Sequence, residues 1–384
     1  MTLRNAFPPL LLLVSLSPLP VRAQDREVLL QARVKHLEQR ISQLEARLAR
    51  LEALLSKGEG TQTTDQRPRG PQQRDGTRTQ EHPLRLRPIA RARHGTKVTV
   101  LAWEPGGRRL ASASVDNALV VWEARSGRQV GLLRLDSPPD TVDWDPKGKR
   151  LVASTWEHEF YLWDVGRTQP LAHRSFLEEP NWETIGKIWF GPDSKSLVYV
   201  GDDDLLMGAR VPSLADARIG GIGPDGLRFP EHDVLGLAWS PGRERVAIHL
   251  GGSVSVWDGL LKGEEFRADA GPGGVAALSW SADGERLACA DKKGHLSVWN
   301  AVERRLLGEF EVGAVRTLAY SPDGAWLAVG GGSELRILDA ISPDTPRARY
   351  DYRNEVVALA WSPDAKAIAV GGKGGRIVVL EVGQ

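Results

Sequence analysis

Ser112, His94 and Asp116 supply the three side-chain types of a hydrolytic triad: a hydroxyl nucleophile, an imidazole base and a carboxylate to orient it. No G-x-S-x-G surrounds Ser112, and the chain has neither H-E-x-x-H nor G-x-x-x-x-G-K. The string G-I-G-P-D-G from Gly221 fits G-x-G-x-x-G, but it contains Pro224-Asp225 and no helix follows, so it reads as a loop. Asp202, Asp203 and Asp204 offer oxygens for a cation without the alternating ligands and Gly of a calcium loop, and read as a solvated turn. The eight His are scattered, with no pair at ligand spacing on one strand. Cys289, the single cysteine, lies in the apolar stretch Leu287–Ala290 and reads as inert core; no disulfide framework is possible. No metal, cofactor or catalytic residue is expected.

The elements that must position these residues announce themselves by repetition. An aromatic residue, a turn and an apolar strand recur as W-E-P-G-G-R-R-L from Trp103, W-D-P-K-G-K-R-L from Trp144 and F-G-P-D-S-K-S-L from Phe190. They return from Trp239, Trp280, Tyr320 and Trp361, at spacings of 41, 46, 49, 41, 40 and 41. Within the first unit Val98–Trp103, Leu110–Ser114, Leu119–Trp122 and Gln129–Leu135 read as four short strands parted by turn residues. A second large residue follows each anchor by 18 or 19 positions: Trp122, Trp163, Trp257, Trp299, Leu338 and Leu380. The third unit has lost it, with Ala209 near that place. Sheets of this size cannot bury both faces alone, so seven of them must stack around an axis.

These units resemble the WD-repeat family, whose repeats often end in Trp-Asp, as at Trp163-Asp164 and Trp257-Asp258, with near matches at Trp122-Glu123 and Trp299-Asn300. The resemblance runs from about Leu84 to the C-terminus and implies an all-β, seven-bladed β-propeller. It also implies that His94, Ser112, Asp116 and Trp122 form the family's buried hydrogen-bond tetrad, so the triad types lock a blade corner and catalyse nothing. The other blades lack an Asp at the matching place. The last unit ends one strand short, and Pro83–Arg93, with Leu84 and Leu86 alternating with Arg85 and Arg87, should supply the missing outer strand. Pro88 suits an outermost strand, which can spare a donor.

A propeller enzyme would set charged, His or metal-binding groups around its central channel. Here the first strands offer Val98, Val100, Val142, Leu278, Leu318 and Leu359. The reading is therefore a protein-protein interaction scaffold, with a propeller hydrolase or lyase and an intracellular assembly scaffold as alternatives. In the family's geometry the second turn of each blade and the link to the next share one face. The longest links are Leu171–Gly186, carrying Glu178, Glu179, Trp182 and Glu183, and Ala209–Val234, carrying Phe229, Glu231 and His232. Trp156 and Glu157, and the run from Asp202 and Asp203, occupy neighbouring turns. Aromatic anchors ringed by acids suit a basic protein or peptide; equally, Trp156 and Trp182 could plug loops onto their blades. Residues His94–Gln384 carry 33 basic against 40 acidic groups, net −7, which argues against nucleic acid as partner.

Ahead of the repeats, residues 1–23 read as a secretory signal: Arg4, an apolar run Leu10–Val14, and Val21-Arg22-Ala23 as cleavage site. The apolar run is too short to span a bilayer and no Cys follows for lipid attachment. The mature chain is thus expected to be exported, periplasmic or extracellular, with no integral membrane segment. In 24–56, Leu30, Val34, Leu37, Ile41, Leu44, Leu48, Leu51 and Leu55 form a heptad seam, with Arg33, Arg40 and Arg47 at g and Glu38, Glu45 and Glu52 at e. That is a parallel coiled coil. Val34 and Ile41 at a with Leu at d lean towards a dimer. R-V-K-H-L-E, R-I-S-Q-L-E and R-L-A-R-L-E resemble a trimerisation signature, and the trimer is preferred. Residues 57–83 are Gln, Thr, Arg, Gly and Pro and read as a disordered linker.

Overall fold

The computed structural model describes residues 84–383 apart from 176–186, 192, 202–204, 217–221, 223–225, 228–233, 243, 260, 270 and 272. The expected signal, coiled coil and linker lie outside the described residues, as do Glu178, Glu179, Trp182, Glu183, Asp202 and Asp203. Every regular element among the described residues is a strand, and the strands form seven antiparallel sheets.

Blade 1 is built from Val98–Trp103, Arg109–Ser114, Ala118–Glu123 and Gln129–Arg134. Blade 2 has Pro139–Trp144, Arg150–Thr155, Glu159–Asp164 and Ala172–Ser175. Blade 3 has three strands among the described residues, Ile188–Phe190, Ser196–Val200 and Leu206–Arg210. Blades 4, 5 and 6 begin with Gly236–Trp239, Ala277–Trp280 and Thr317–Tyr320, and each has four strands. Blade 7 comprises Val356–Trp361, Ala367–Gly372, Arg376–Gly383 and, outermost, Arg85–Arg93 from the start of the repeats. First strands touch between blades 1 and 2, 2 and 3, 4 and 5, 5 and 6, 6 and 7, and 7 and 1, while blades 3 and 4 share one apolar layer, so the seven sheets close into a β-propeller with these strands innermost.

The register shows why the anchors recur. Each anchor faces an apolar residue on the second strand, which in turn faces the second large residue on the third. Trp103, Leu110 and Trp122 make one such row; Trp144, Leu151 and Trp163 make the next. In blade 3 the row is Phe190, Leu197 and Ala209, so Ala209 does occupy the place of the lost aromatic. Leu110, Leu151, Leu197 and Trp163 are buried almost completely, each such aliphatic side chain contributing about 1.5–3 kcal/mol. The Ser after the anchor in blades 4 to 7 holds its turn. The hydroxyls of Ser240, Ser281, Ser321 and Ser362 accept the backbone N–H of Arg245, Arg286, Trp326 and Ala367 at 2.9–3.1 Å.

Neighbouring blades are stitched by one recurring bond between an anchor and the residue preceding the anchor of the blade before. The indoles of Trp144, Trp280 and Trp361 donate to the carbonyls of Ala102, Ala238 and Ala319, each at 3.0 Å. Where the anchor has no indole the pair is remade: the backbone N–H of Phe190 donates to Asp143 Oδ2 and that of Tyr320 to Ser279 Oγ, both at 2.9 Å.

The closing strand carries a bulge between Pro88 and Ala90. It reverses the inward side, so that Leu86 packs with Val382 towards blade 6 while Ala90 and Ala92 pack with Ile377 and Val379 towards blade 1.

Two expectations need correction. Val98, Val142, Leu318 and Leu359 do not line a channel but lie buried in the layers between blades, with Val100 and Leu278 partly buried against those layers. Bulges near the starts of three inner strands, at Val98/Val100, Pro139/Thr141 and Val356/Ala358, re-aim their side chains. The supposed link from Leu171 is partly strand, since Ala172–Ser175 completes blade 2. Likewise Ala209 belongs to a blade 3 strand and not to the link after it.

Candidate functional site

At the corner of blade 1, His94, Ser112, Asp116 and Trp122 converge. The indole of Trp122 donates to Ser112 Oγ at 2.6 Å, and Ser112 Oγ lies 2.7 Å from His94 Nε2. An indole N–H can only donate, so Ser112 accepts from Trp122 and is free to donate its own proton to His94 Nε2. The other ring nitrogen, Nδ1, then faces Asp116 at 3.5 Å, while Asp116 Oδ2 accepts the backbone N–H of Gly95 at 3.1 Å. Burial holds His94 below the usual imidazole range despite the opposing pull of Asp116. The imidazole also sits edge-on to the Trp122 ring, 5.8 Å between centroids. Its backbone N–H bonds the carbonyl of Gly375 at 2.8 Å, tying the corner to blade 7. A Cβ at Gly375, where φ is +79°, would overlap the carbonyls of His94 and Thr96. Ser112 is 1% exposed, so no substrate carbonyl can reach Oγ. What the arrangement can do is brace a blade.

The expectation that other blades lack the corner Asp fails at blade 5. Asp291, buried, accepts the backbone N–H of Gly273, as Asp116 accepts that of Gly95, and also those of Lys293, Gly294 and His295. It stands two positions nearer its anchor than Asp116 does, at the place that Ser114 holds in blade 1. The blade 4 indole of Trp257 donates within its own strand to Ser255 Oγ at 2.7 Å, and that of Trp299 in blade 5 is shared between Ser297 Oγ and the Asp269 carbonyl of blade 4, both at 3.2 Å. In blade 2, Trp163 donates to the carbonyl of Arg167 at 2.8 Å.

The same corner of blade 2 is different in kind. Asp136 in the link from blade 1, Glu159 at the start of the third strand and His173 on the outer strand bring their ligand atoms within 4.8 Å of one another. His173 Nε2 lies 3.3 Å from Glu159 Oε1. The Tyr161 hydroxyl stands between the acids, 2.7 Å from Asp136 Oδ2 and 3.1 Å from Glu159 Oε2, and its ring stacks on His173. Burial first, then the hydrogen bond to Asp136, raises the Tyr161 pKa, so the hydroxyl keeps its proton. These are the described side chains able to hold a metal ion. Scanning for ligand pairs along one strand misses them, because they come from three segments.

Beside this cluster lies the second turn of blade 2, with Trp156 56% exposed and Glu157 exposed. Their backbone N–H groups bond the Pro138 carbonyl at 3.0 Å and Ser137 Oγ at 3.2 Å, fixing the turn to the link that carries Asp136. Trp156 therefore stands out from its blade on an anchored backbone and does not plug a loop. Cys289 is fully buried, and burial raises its thiol pKa, which removes the reactive thiolate.

The WD40 family, "WD domain, G-beta repeat", matches residues 88–123, 265–300 and 304–339. The chain thus carries WD40 repeats on a seven-bladed β-propeller. It is 29% identical over 120 residues to the small ribosomal subunit protein RACK1 of Schizosaccharomyces pombe, covering 29% of this chain and 38% of that protein. It is 28% identical over 174 residues to the WD repeat-containing protein VIP3 of Arabidopsis thaliana, covering 40% and 54%. It is 32% identical over 95 residues to WD repeat-containing protein 1 of Rattus norvegicus, covering 23% and 16%. The matches therefore span between a sixth and just over half the length of these relatives. No helix among the described residues is long and apolar enough to cross a membrane.

Proposed function

We propose that the chain is an exported protein-interaction scaffold that uses the blade 2 face around Trp156 to hold a basic protein or peptide. The observation that carries this is Trp156 itself: a large aromatic side chain 56% exposed on a turn pinned at two consecutive backbone N–H groups. A rigidly presented Trp beside the exposed Asp136 and Glu157 has the make-up of a binding hot spot for a cationic partner. The likeness to WD-repeat proteins supports a scaffold over an enzyme, as does the burial of the one hydrolytic constellation in the sequence.

Export rests on the signal pattern of residues 1–23, and self-association on the heptads of 24–56, as a trimer. Three heads on one stalk raise avidity by about a hundredfold or more for a target with repeated sites. The test is proximity labelling of the native protein in its compartment, followed by capture of the labelled partner with wild type and Trp156→Ala. A basic partner held at least tenfold more weakly by the folded variant is expected. Equal capture by the two proteins ends the reading of this face, and an uncleaved N-terminus on sequencing the mature chain ends the reading of export.

A further inference from the structure

Three carboxylates of the described chain are buried, Asp145, Glu159 and Asp291. Two of them are neutralised in the way buried carboxylates require. Asp145 accepts the backbone N–H groups of Lys149 and Arg150 and pairs with the Arg150 guanidinium. Asp291 accepts four backbone N–H groups. Glu159, 5% exposed, has neither. Its oxygens meet the hydroxyls of Thr155 and Tyr161 and the His173 ring, and a second carboxylate, Asp136, shares the same Tyr161 hydroxyl. One phenol carries one proton and cannot serve both acids. Among the described residues this buried carboxylate, beside another carboxylate, has no guanidinium or backbone donor, and the one group that could bring it a positive charge is the His173 imidazole, which would have to take up a proton to do so.

From this deficit and the convergence of three ligand atoms we infer that Asp136, Glu159 and His173 form a divalent transition-metal site of zinc type on the corner of blade 2. The donor set, one imidazole nitrogen and two carboxylates, suits Zn²⁺. In a tetrahedral site with bonds of about 2.0–2.1 Å, ligand atoms sit roughly 3.4 Å apart. His173 Nε2 and Glu159 Oε1 are already at 3.3 Å, and all three ligand atoms lie within 4.8 Å, so the exposed Asp136 needs only to swing inward. The outer shell is in place. Tyr161 donates to Asp136, Thr155 holds Glu159, and the Tyr161 ring stacks on His173 at 4.4 Å between centroids. Three protein ligands leave a fourth position to water or to a donor group from a docked partner, next to Trp156.

The test uses the full chain, stripped with chelator and titrated with Zn²⁺ by calorimetry, with bound metal counted by mass spectrometry. One site per chain is expected. His173→Ala and Asp136→Asn, both at partly exposed positions, should each weaken it by more than about a hundredfold, beyond the ten- to hundredfold cost of losing a supporting group. Near-UV circular dichroism should stay unchanged in both. Zn²⁺ should raise the melting temperature of wild type and leave that of the His173→Ala, Asp136→Asn double variant unmoved. Absence of binding by wild type overturns the site. So does equal binding by both variants, which would assign the metal to other histidines. Glu159→Gln, which removes the buried charge, should abolish binding and raise metal-free stability; a variant that destabilises the metal-free chain overturns the charge deficit.

Discussion

The indole N–H of Trp103 donates to the carbonyl of Ala360 at 2.9 Å, joining the first blade to the last. The junction that closes the ring is therefore made by the same bond that joins Trp144 to Ala102 and Trp361 to Ala319 within it. Replacing Trp103 by Phe keeps an aromatic ring against the layer but trims the indole to a phenyl and leaves the Ala360 carbonyl without its donor. The expected loss is about 1–3 kcal/mol, read as a lower urea midpoint at unchanged slope. Asp143→Ala should cost a similar amount by removing the carboxylate that accepts the backbone N–H of Phe190. If Trp103→Phe unfolds at the wild-type midpoint, the bond does not help to hold the ring.

The strand Arg85–Arg93 is the other half of closure. It pairs with Arg376–Gly383 along eight residue pairs and covers Ile377, Val378, Val379 and Leu380, all nearly or fully buried. Deleting residues 83–92 exposes that edge and the apolar residues behind it. A drop in melting temperature of more than about 10 °C is expected, with a tendency to associate through the bared edge. A truncated chain that melts with wild type would mean that the closing strand contributes nothing.

At the blade 1 corner, Ser112→Ala removes the acceptor of Trp122 Nε1 and the partner of His94 Nε2 in one step. Two buried donors or acceptors are left unsatisfied, and the cost should be about 2–4 kcal/mol. Ser112→Thr restores the hydroxyl and should recover part of it. Since the site is a brace, partner binding by the folded Ser112→Ala chain should match wild type. Loss of binding at temperatures where the variant is folded would give the corner a functional role.

How much of this was legible in the residues depends on how local the interaction is. Anchor and second large residue lie on the first and third strands of one blade, so the recurrence of the anchor gave the blade number and the short spacing within a unit gave the row in which Ala209 stands. The blade 1 tetrad was legible because His94 to Trp122 spans a single repeat. Asp291 was not, because it stands where blade 1 has Ser114, two positions nearer its anchor than Asp116, although it bonds the backbone that follows it. The blade 2 cluster was hidden for another reason: Asp136, Glu159 and His173 belong to three segments that only cross-strand pairing brings together. Stitching between blades was equally silent, since an Ala carbonyl that accepts an indole has no side-chain signature. It surfaces only where Asp143 and Ser279 replace the Ala opposite Phe190 and Tyr320.

The pH response should be governed by a histidine outside both corners. His249 is the last residue but one of the second strand of blade 4, Arg245–Leu250, and burial, with the Lys187 charge adding to it, lowers its pKa from 6.5 to about 4. His94 is shifted the same way, again chiefly by burial. A base whose folded pKa is depressed stays neutral in the folded chain while it protonates in the unfolded one. Its destabilising effect is absent above 6.5, grows as pH falls towards the folded pKa, and is complete below it. For His249 the loss is at most about 3 kcal/mol, and nearer 2 with the ring partly open to solvent. The depressed carboxylates, Asp216 and Asp291 among them, act in a separate window below 3.8, so the two effects can be told apart. Urea midpoints measured between pH 7 and 4 should therefore fall steadily for wild type and distinctly less for His249→Gln. Parallel curves for the two proteins would show that the imidazole is already protonated in the fold, and that Lys187 and burial do not hold it neutral.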